Sequence, residues 1–184
     1  MAHFSNFDVA LIAADKRYPR TIPVVKQELM NLLFIGRGLE LWESIPVARE
    51  GADSGPLRKI LRELRRGRSV CIAAEGTRNK SGHLGSLNNT LVRVAILASE
   101  NGIPVFPVAA EGADLALPKG AFLPRFVPIT VISGPNIDLS PWHKQKLSDE
   151  ELVKPATLIR KKIALLLPER NQPLAESVVP VLAT

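Results

Sequence analysis

Along the 184-residue chain, short apolar runs alternate with stretches whose apolar positions recur at helical spacing. The runs "TIPVV" (21–25), "SIPVA" (44–48), "SVCIAA" (69–74), "PVFPVAA" (104–110) and "VPITVIS" (127–133) are bounded by turn or charged residues and predict buried strands. Between them, residues 29–41, 55–66 and 87–100 predict helices. A last helix, over about 148–168, opens on Ser148 with Glu151 three positions later, the spacing of a capping box. Strands alternating with helices specify an α/β fold whose sheet is largely parallel or mixed and flanked by helices. No internal repeat, low-complexity tract or linker interrupts the pattern, so residues 1–170 are expected to form one domain. The stretch "NQPLAESVVPVLAT" (171–184) has no period and is expected to be a loosely ordered tail.

Composition sharpens this picture. With 46% hydrophobic and 23% charged residues, the chain has the balance of a globular protein rather than a disordered one. Its single cysteine, Cys71, cannot close an internal disulfide, which points to a reducing compartment. Cys71 lies among Val70, Ile72 and Ala73 and reads as a small core residue, not a nucleophile. Asp8, Asp15, Lys16 and Arg17 break the apolar start, so no signal peptide is read there. The best candidate for a membrane span, "LMNLLFIGRGLELW" (29–42), is broken by Arg37 and Glu40.

The net charge of +6 favours anionic partners. Much of it sits in "LRKILRELRRGR" (57–68), where Leu57, Ile60, Leu61 and Leu64 fall at helical spacing and Arg58, Lys59, Arg62, Arg65 and Arg66 occupy the other faces. Two readings stand: a surface helix that packs its leucines and solvates its arginines, or a basic surface that meets anionic headgroups or an acidic partner.

Chemistry in α/β sheets collects on loops beyond the carboxyl ends of the strands. Two loops carry suitable residues, "EGTRNKSGHLG" (75–85) and "AAEGADLALPKG" (109–120). In the first, Gly76 allows a sharp turn, Arg78 offers a planar fork suited to phosphate, and Lys80 adds a second cation. A turn in which Glu75 pairs with Arg78 would use the same residues. It is not a P-loop, because no Gly-Lys-Ser/Thr follows. His83 and His143 have no second histidine or cysteine at metal-ligand spacing and read as surface residues. Near the start, His3 precedes Asp8 by five positions, as a base with its orienting carboxylate or as two unrelated polar residues. On one helix they would point apart, so the first reading needs a turn, for which Ser5 and Asn6 are suited.

Four stretches in order, His3 and Asp8, then "VKQEL" to "SIPVAR" (25–49), then "EGTR" (75–78), then "IPVFPVA" (103–109), resemble the glycerolipid acyltransferase family, which includes the 1-acylglycerol-3-phosphate acyltransferases. The resemblance runs from about residue 2 to about 138, and its motif residues are His3, Asp8, Lys26, Glu28, Leu29, Arg49, Glu75 to Arg78, Pro104 and Pro107. It implies the family's α/β fold and transfer of an acyl group from acyl-CoA or acyl carrier protein to the hydroxyl of a lysophospholipid. It makes His3 the general base and Asp8 its partner. Arg78 becomes the main phosphate ligand and Arg49 a second, with Glu75, Gly76 and Thr77 forming the phosphate pocket. It implies no metal and no prosthetic group, and a peripheral position on the cytoplasmic face of an anionic membrane.

The sequence departs from the family pattern at Ala2 (asparagine expected), Glu43 (glycine), Ala73 and Ala74 (Phe-Pro), and Asn88 to Thr90 (Lys-x-Gly). A buried strand leads into the Asn-His pair in the family, whereas His3 here follows two residues, so the natural polypeptide is expected to begin upstream of Met1. Two other functions compete. One is an inactive lipid- or acyl-carrier-binding protein of the same fold. The other is a nucleic-acid-binding domain, suggested by charge alone and supported by no helix-turn-helix, zinc or aromatic signature.

Overall fold

The computed structural model describes residue 12 and residues 21–47, 55–75, 83–116 and 125–173. The described residues fall into two compact units, one ending at Ile72 and the other beginning at Ala73.

The first unit is built on a parallel three-stranded sheet in the order β2-β1-β3, formed by β1 (Ile22–Lys26), β2 (Ile45–Val47) and β3 (Val70–Cys71). The apolar runs read from the sequence supply these strands, though the run 69–74 pairs only over Val70–Cys71, and Ile22 and Ile45 are fully buried. The middle strand divides its pairing: Ile22 and Pro23 face Val70 and Cys71, and Val24 to Lys26 face Ile45 to Val47. That offset accommodates a proline in a central strand. Ile22 N–H donates to Ser69 O (2.8 Å), so the Pro23 nitrogen points the other way, where the β2 ladder begins only at Val24.

Parallel neighbours require crossovers, and helices supply both. Between β1 and β2 lie α1 (Gln27–Met30) and α2 (Leu33–Leu41); between β2 and β3 lies α3 (Gly55–Arg65). The helix predicted over 29–41 is thus two, broken at Asn31 and Leu32, whose extended backbone (ψ 120°) reverses the chain. The reversal brings Gly36 against the Met30 carbonyl, leaving no room for a Cβ. Three helices end in one arrangement, a left-handed residue with two closing hydrogen bonds. After α2, Ser44 N–H reaches Leu39 O (3.0 Å) and Glu43 N–H reaches Glu40 O (2.8 Å); after α3, Arg68 and Gly67 bond Glu63 and Leu64 likewise. After α4 (Asn89–Glu100), Ile103 and Gly102 repeat the pattern. Gly67 and Gly102 take the left-handed position freely, but after α2 it falls to Glu43, at φ 56°.

The second unit packs α4 and α6 (Val153–Ala164) around a core that includes Val92, Ile96, Leu139, Leu152, Ile159 and Ile163. An antiparallel pair joins β4 (Val108–Glu111) to β5 (Thr130–Ser133), and the short α5 (Ala113–Ala116) follows β4. The strand expected over 104–110 forms regular ladder only from Val108. Its extended pairing nevertheless continues upstream, through Gly134 N–H to Pro107 O (2.9 Å) and Ile137 N–H to Val105 O (2.8 Å). Pro104 and Pro107 have no N–H to give, which interrupts the ladder. The capping box forms as read, with Ser148 N–H donating to Glu151 Oε2 (2.7 Å) and Glu151 N–H to Ser148 Oγ (3.3 Å). It closes a turn, and the regular helix begins at Val153. Asn171, the first residue of the expected tail, is buried, and residues 174–184 lie outside the described residues. The sheet with its helical crossovers is the α/β fold anticipated from the pattern.

Gly36 and Gly38 test the α1–α2 reversal, since both lie in α2 and only one is crowded. Gly36→Ala is expected to cost about 1–3 kcal/mol through overpacking. Gly38→Ala, where a Cβ meets open space, is expected to stabilise by about 0.5–1 kcal/mol. Urea unfolding of both variants measures the difference.

Candidate active site

The segment beginning at Glu75 leaves the second unit's core at Ala74 and returns at His83 and Leu84. Both limbs are tied down. Asn88 N–H donates to Ala74 O (2.9 Å), and the Asn88 side chain accepts from Leu91 N–H (3.3 Å), so one residue holds the outgoing limb and caps α4. This is the role taken by the first of the three positions where the family has Lys-x-Gly. On the return limb, Leu84 N–H donates to Asn171 O (3.0 Å) and His83 Nδ1 donates to Gln172 O (3.0 Å).

Glu75 is half-buried and its Oε1 is sealed from solvent. Among the described residues, a cation that feels this carboxylate is Arg160 of α6, whose Nη2 donates to Leu84 O (3.2 Å) and whose Nε is also sealed. Burial pushes the Arg160 guanidinium below its ordinary range, and the Glu75 carboxylate opposes that shift by favouring the charged form. The sequence reading missed Arg160 because Arg160, Lys161 and Lys162 look like a solvated charge run. A signal was present: Arg160 adjoins Ile159, three positions before Ile163, at the margin of the buried stripe and not opposite it.

Of the site residues expected from the sequence, Glu75 is described. His3, Asp8, Arg49, Gly76, Thr77 and Arg78 lie outside the described residues, as does Lys80. In the first unit, Lys26 closes β1 in register with Val47, at the carboxyl ends of β1 and β2. Glu43, where the family has glycine, is the left-handed residue after α2, which gives the family's glycine a physical reason. Its carboxylate pairs with Arg68. Arg68 also reaches Glu63 (3.5 Å), a buried carboxylate of α3 that pairs with Arg66 (3.0 Å) and Arg62 (3.6 Å). The basic run around α3 is therefore partly neutralised by its own glutamate, while Arg58, Arg62, Arg65 and Arg66 remain exposed.

Cys71 is buried. His143 is half-buried and shares a hydrogen bond with Ser99 Oγ (3.0 Å). Among the described residues, no three His, Cys, Asp or Glu side chains gather as metal ligands, and no helix is long and apolar enough to cross a membrane.

Comparison with known proteins adds three findings. The family model described as Acyltransferase matches residues 1–111, more than half of the chain. The 1-acyl-sn-glycerol-3-phosphate acyltransferase of Limnanthes douglasii is 28% identical over 132 residues, covering 70% of this chain and 46% of that protein. The protein of that name from Cocos nucifera is 24% identical over 131 residues, covering 70% and 42%. The chain thus spans less than half the length of these relatives. The crystal structure of the 1-acyl-sn-glycerophosphate acyltransferase PlsC from Thermotoga maritima matches with a TM-score of 0.66 at 20% identity, over 90% of this chain and 62% of the other. The fold is shared.

Asn88 gives this region a direct test. Asn88→Ala removes the cap of α4 and is expected to cost about 1 kcal/mol, whereas Asn88→Ser retains most of it. Chemical denaturation of the two variants against wild type reads the cap.

Proposed function

Because this chain belongs to the acyltransferase family, we propose that it transfers a fatty acyl group from a thioester to the free hydroxyl of a lysophospholipid of the 1-acylglycerol-3-phosphate type. The observation that carries this reading is the family match over residues 1–111, which spans all four motif stretches in order. The donor is acyl-CoA or acyl carrier protein.

In this mechanism His3 takes the proton of the acceptor hydroxyl as its oxygen attacks the thioester carbonyl carbon. Asp8 accepts the other ring N–H, holding the tautomer and stabilising the imidazolium as it develops. The tetrahedral intermediate carries its charge on the former carbonyl oxygen, which needs backbone N–H donors. It collapses by breaking the carbon–sulfur bond, and the departing thiolate recovers the proton from His3. Arg78 and Arg49 hold the acceptor phosphate, with Glu75, Gly76 and Thr77 shaping its pocket. The scheme needs no metal and no prosthetic group.

The acceptor resides in a bilayer, and α2 supports a peripheral contact with one. Phe34, Gly38 and Leu41 recur at i, i+4 and i+7, opposite Gly36 and Leu39, and Phe34 and Leu41 are each 87% exposed. Large side chains so exposed on one helix face cover themselves in the acyl boundary of a membrane. Arg37 lies beside this stripe, and the Glu43–Arg68 pair joins the end of α2 to the basic stretch that follows α3. These cations suit the anionic lipids of a cytoplasmic leaflet.

Thiol release from acyl-CoA and from an acyl carrier thioester, with and without lysophospholipids, tests the reaction. Wild type is expected to release thiol only with acceptor, and His3→Ala to be slower by roughly 10²–10⁴. Absence of turnover together with retained lysophospholipid binding would leave a binding protein of the same fold. For the membrane contact, co-sedimentation with phosphatidylglycerol-containing vesicles is expected to fall about tenfold in a Phe34→Ser, Leu41→Ser double variant. Equal binding by both proteins would remove α2 from the membrane surface.

A further inference from the structure

We propose that the arginine face of α3 is the docking surface for an acidic acyl carrier protein, which makes a carrier-bound thioester the acyl donor of this chain. The proposal rests on the acyltransferase reading for the reaction that the donor enters. Residues 57–68 hold six cations and one carboxylate, so this stretch carries five of the chain's six net positive charges. Arg58, Arg62 and Arg65 recur at i, i+4 and i+7, all three exposed, on the side of α3 opposite buried Ile60. The one carboxylate does not cancel them from outside. Glu63 is buried, its side chain 6% exposed, and it reaches Arg62 and Arg66 while leaving them 59% and 63% exposed. The buried anion thus orients guanidinium groups that still face water.

Shape, residue type and topology select the partner. The row from Arg58 to Arg65 runs about 10 Å along the convex surface of a helix. A nucleotide brings its phosphates to one place and needs a concavity to hold them. A row of this length instead matches carboxylates spread along the surface of a protein, and such complementarity speeds encounter and fixes register. The three cations are arginines, whose planar fork grips a carboxylate with two bonds and sheds water more readily than a lysine ammonium. Arginine is accordingly enriched where proteins meet and lysine depleted. A bilayer is met elsewhere on this unit, by the exposed apolar stripe of α2. The strands β2 and β3 flank β1 on opposite sides, so the two crossovers travel in opposite directions. Right-handed crossovers then carry α2 and α3 to opposite faces of the sheet. A unit lying on a membrane by Phe34 and Leu41 therefore turns Arg58, Arg62 and Arg65 toward water, where a soluble donor arrives.

The test uses the full chain as wild type and as an Arg58→Glu, Arg65→Glu double variant, which leaves Arg62, Arg66 and Glu63 in place. The control is Lys154→Glu, Lys161→Glu, the same charge change on the exposed side of α6. Steady-state transfer to lysophosphatidate is read with one acyl chain supplied on acyl carrier protein and on CoA, at low and at high salt. In the α3 variant, KM for the carrier thioester is expected to rise about tenfold and to lose most of its salt dependence, with kcat within about twofold. KM for acyl-CoA is expected to hold, and the control to match wild type with both donors. Both KM values rising together, neither moving, or an equal effect of the control overturns the proposal. So does a wild type that uses acyl-CoA alone. Loss of binding to phosphatidylglycerol vesicles with an unchanged carrier KM would also overturn it and make α3 a lipid surface. If the α3 variant does not fold, Arg58→Gln, Arg65→Gln decides the same question, with an expected rise of about threefold. A wild type inactive with both donors would instead sink the acyltransferase reading. Fluorescence anisotropy of labelled acyl carrier protein would still judge α3: binding to wild type and not to the variant upholds the surface, and equal or absent binding refutes it.

Discussion

The first unit depends on β1 having a parallel neighbour on each side. Parallel pairing cannot be made by a tight turn, so each pairing obliges the chain to cross over, and the crossovers are α1 with α2 and then α3. The same constraint directs the strands alike, so the chain leaves β1 and β2 at adjacent carboxyl ends. Lys26 of the "VKQEL" stretch therefore sits across from Val47, just before Arg49. Two distant stretches, at Lys26 and at Val47, become neighbours because the sheet is parallel.

Two positions where this chain departs from the family pattern, Glu43 and Asn88, are met by local physical substitutes. Glu43 adopts the left-handed conformation that glycine takes freely, and its carboxylate gains a partner in Arg68. Arg68 in turn is shared with buried Glu63, which binds the end of α3 to the turn after α2. Asn88 takes up both a helix cap and the carbonyl of Ala74. In each case a backbone requirement, not a particular side-chain chemistry, is what the structure preserves.

The second unit draws support for the Glu75 limb from far along the chain. Leu84 rests on Asn171, His83 on Gln172, and Arg160 on Leu84. The C-terminal helix and the turn after it hold the returning limb of a loop that begins with a family motif. The core of that unit, with Leu139 and Leu152 fully buried, is the anchor that makes those hydrogen bonds geometrically reproducible.

The sequence by itself determined the α/β class, the strand cores and the positions of four helical stretches, because apolar period and β-branched runs are local properties. It determined the capping box at Ser148 and Glu151, which needs only three residues of separation. It also carried the motif order that marks the family. What only the tertiary structure decided are relations between distant residues. The break at Leu32 depends on Gly36 meeting Met30, the burial of Glu63 depends on Arg68 arriving beyond α3, and the β4–β5 ladder lapses where the Pro104–Pro107 stretch falls opposite residues 134–137. Arg160 is the clearest case: two lysines follow it in sequence, and the carbonyl it reaches, Leu84 O, lies 76 positions earlier. Charge and period cannot reveal such a pairing, because burial of a cation is set by which surfaces meet in the folded chain.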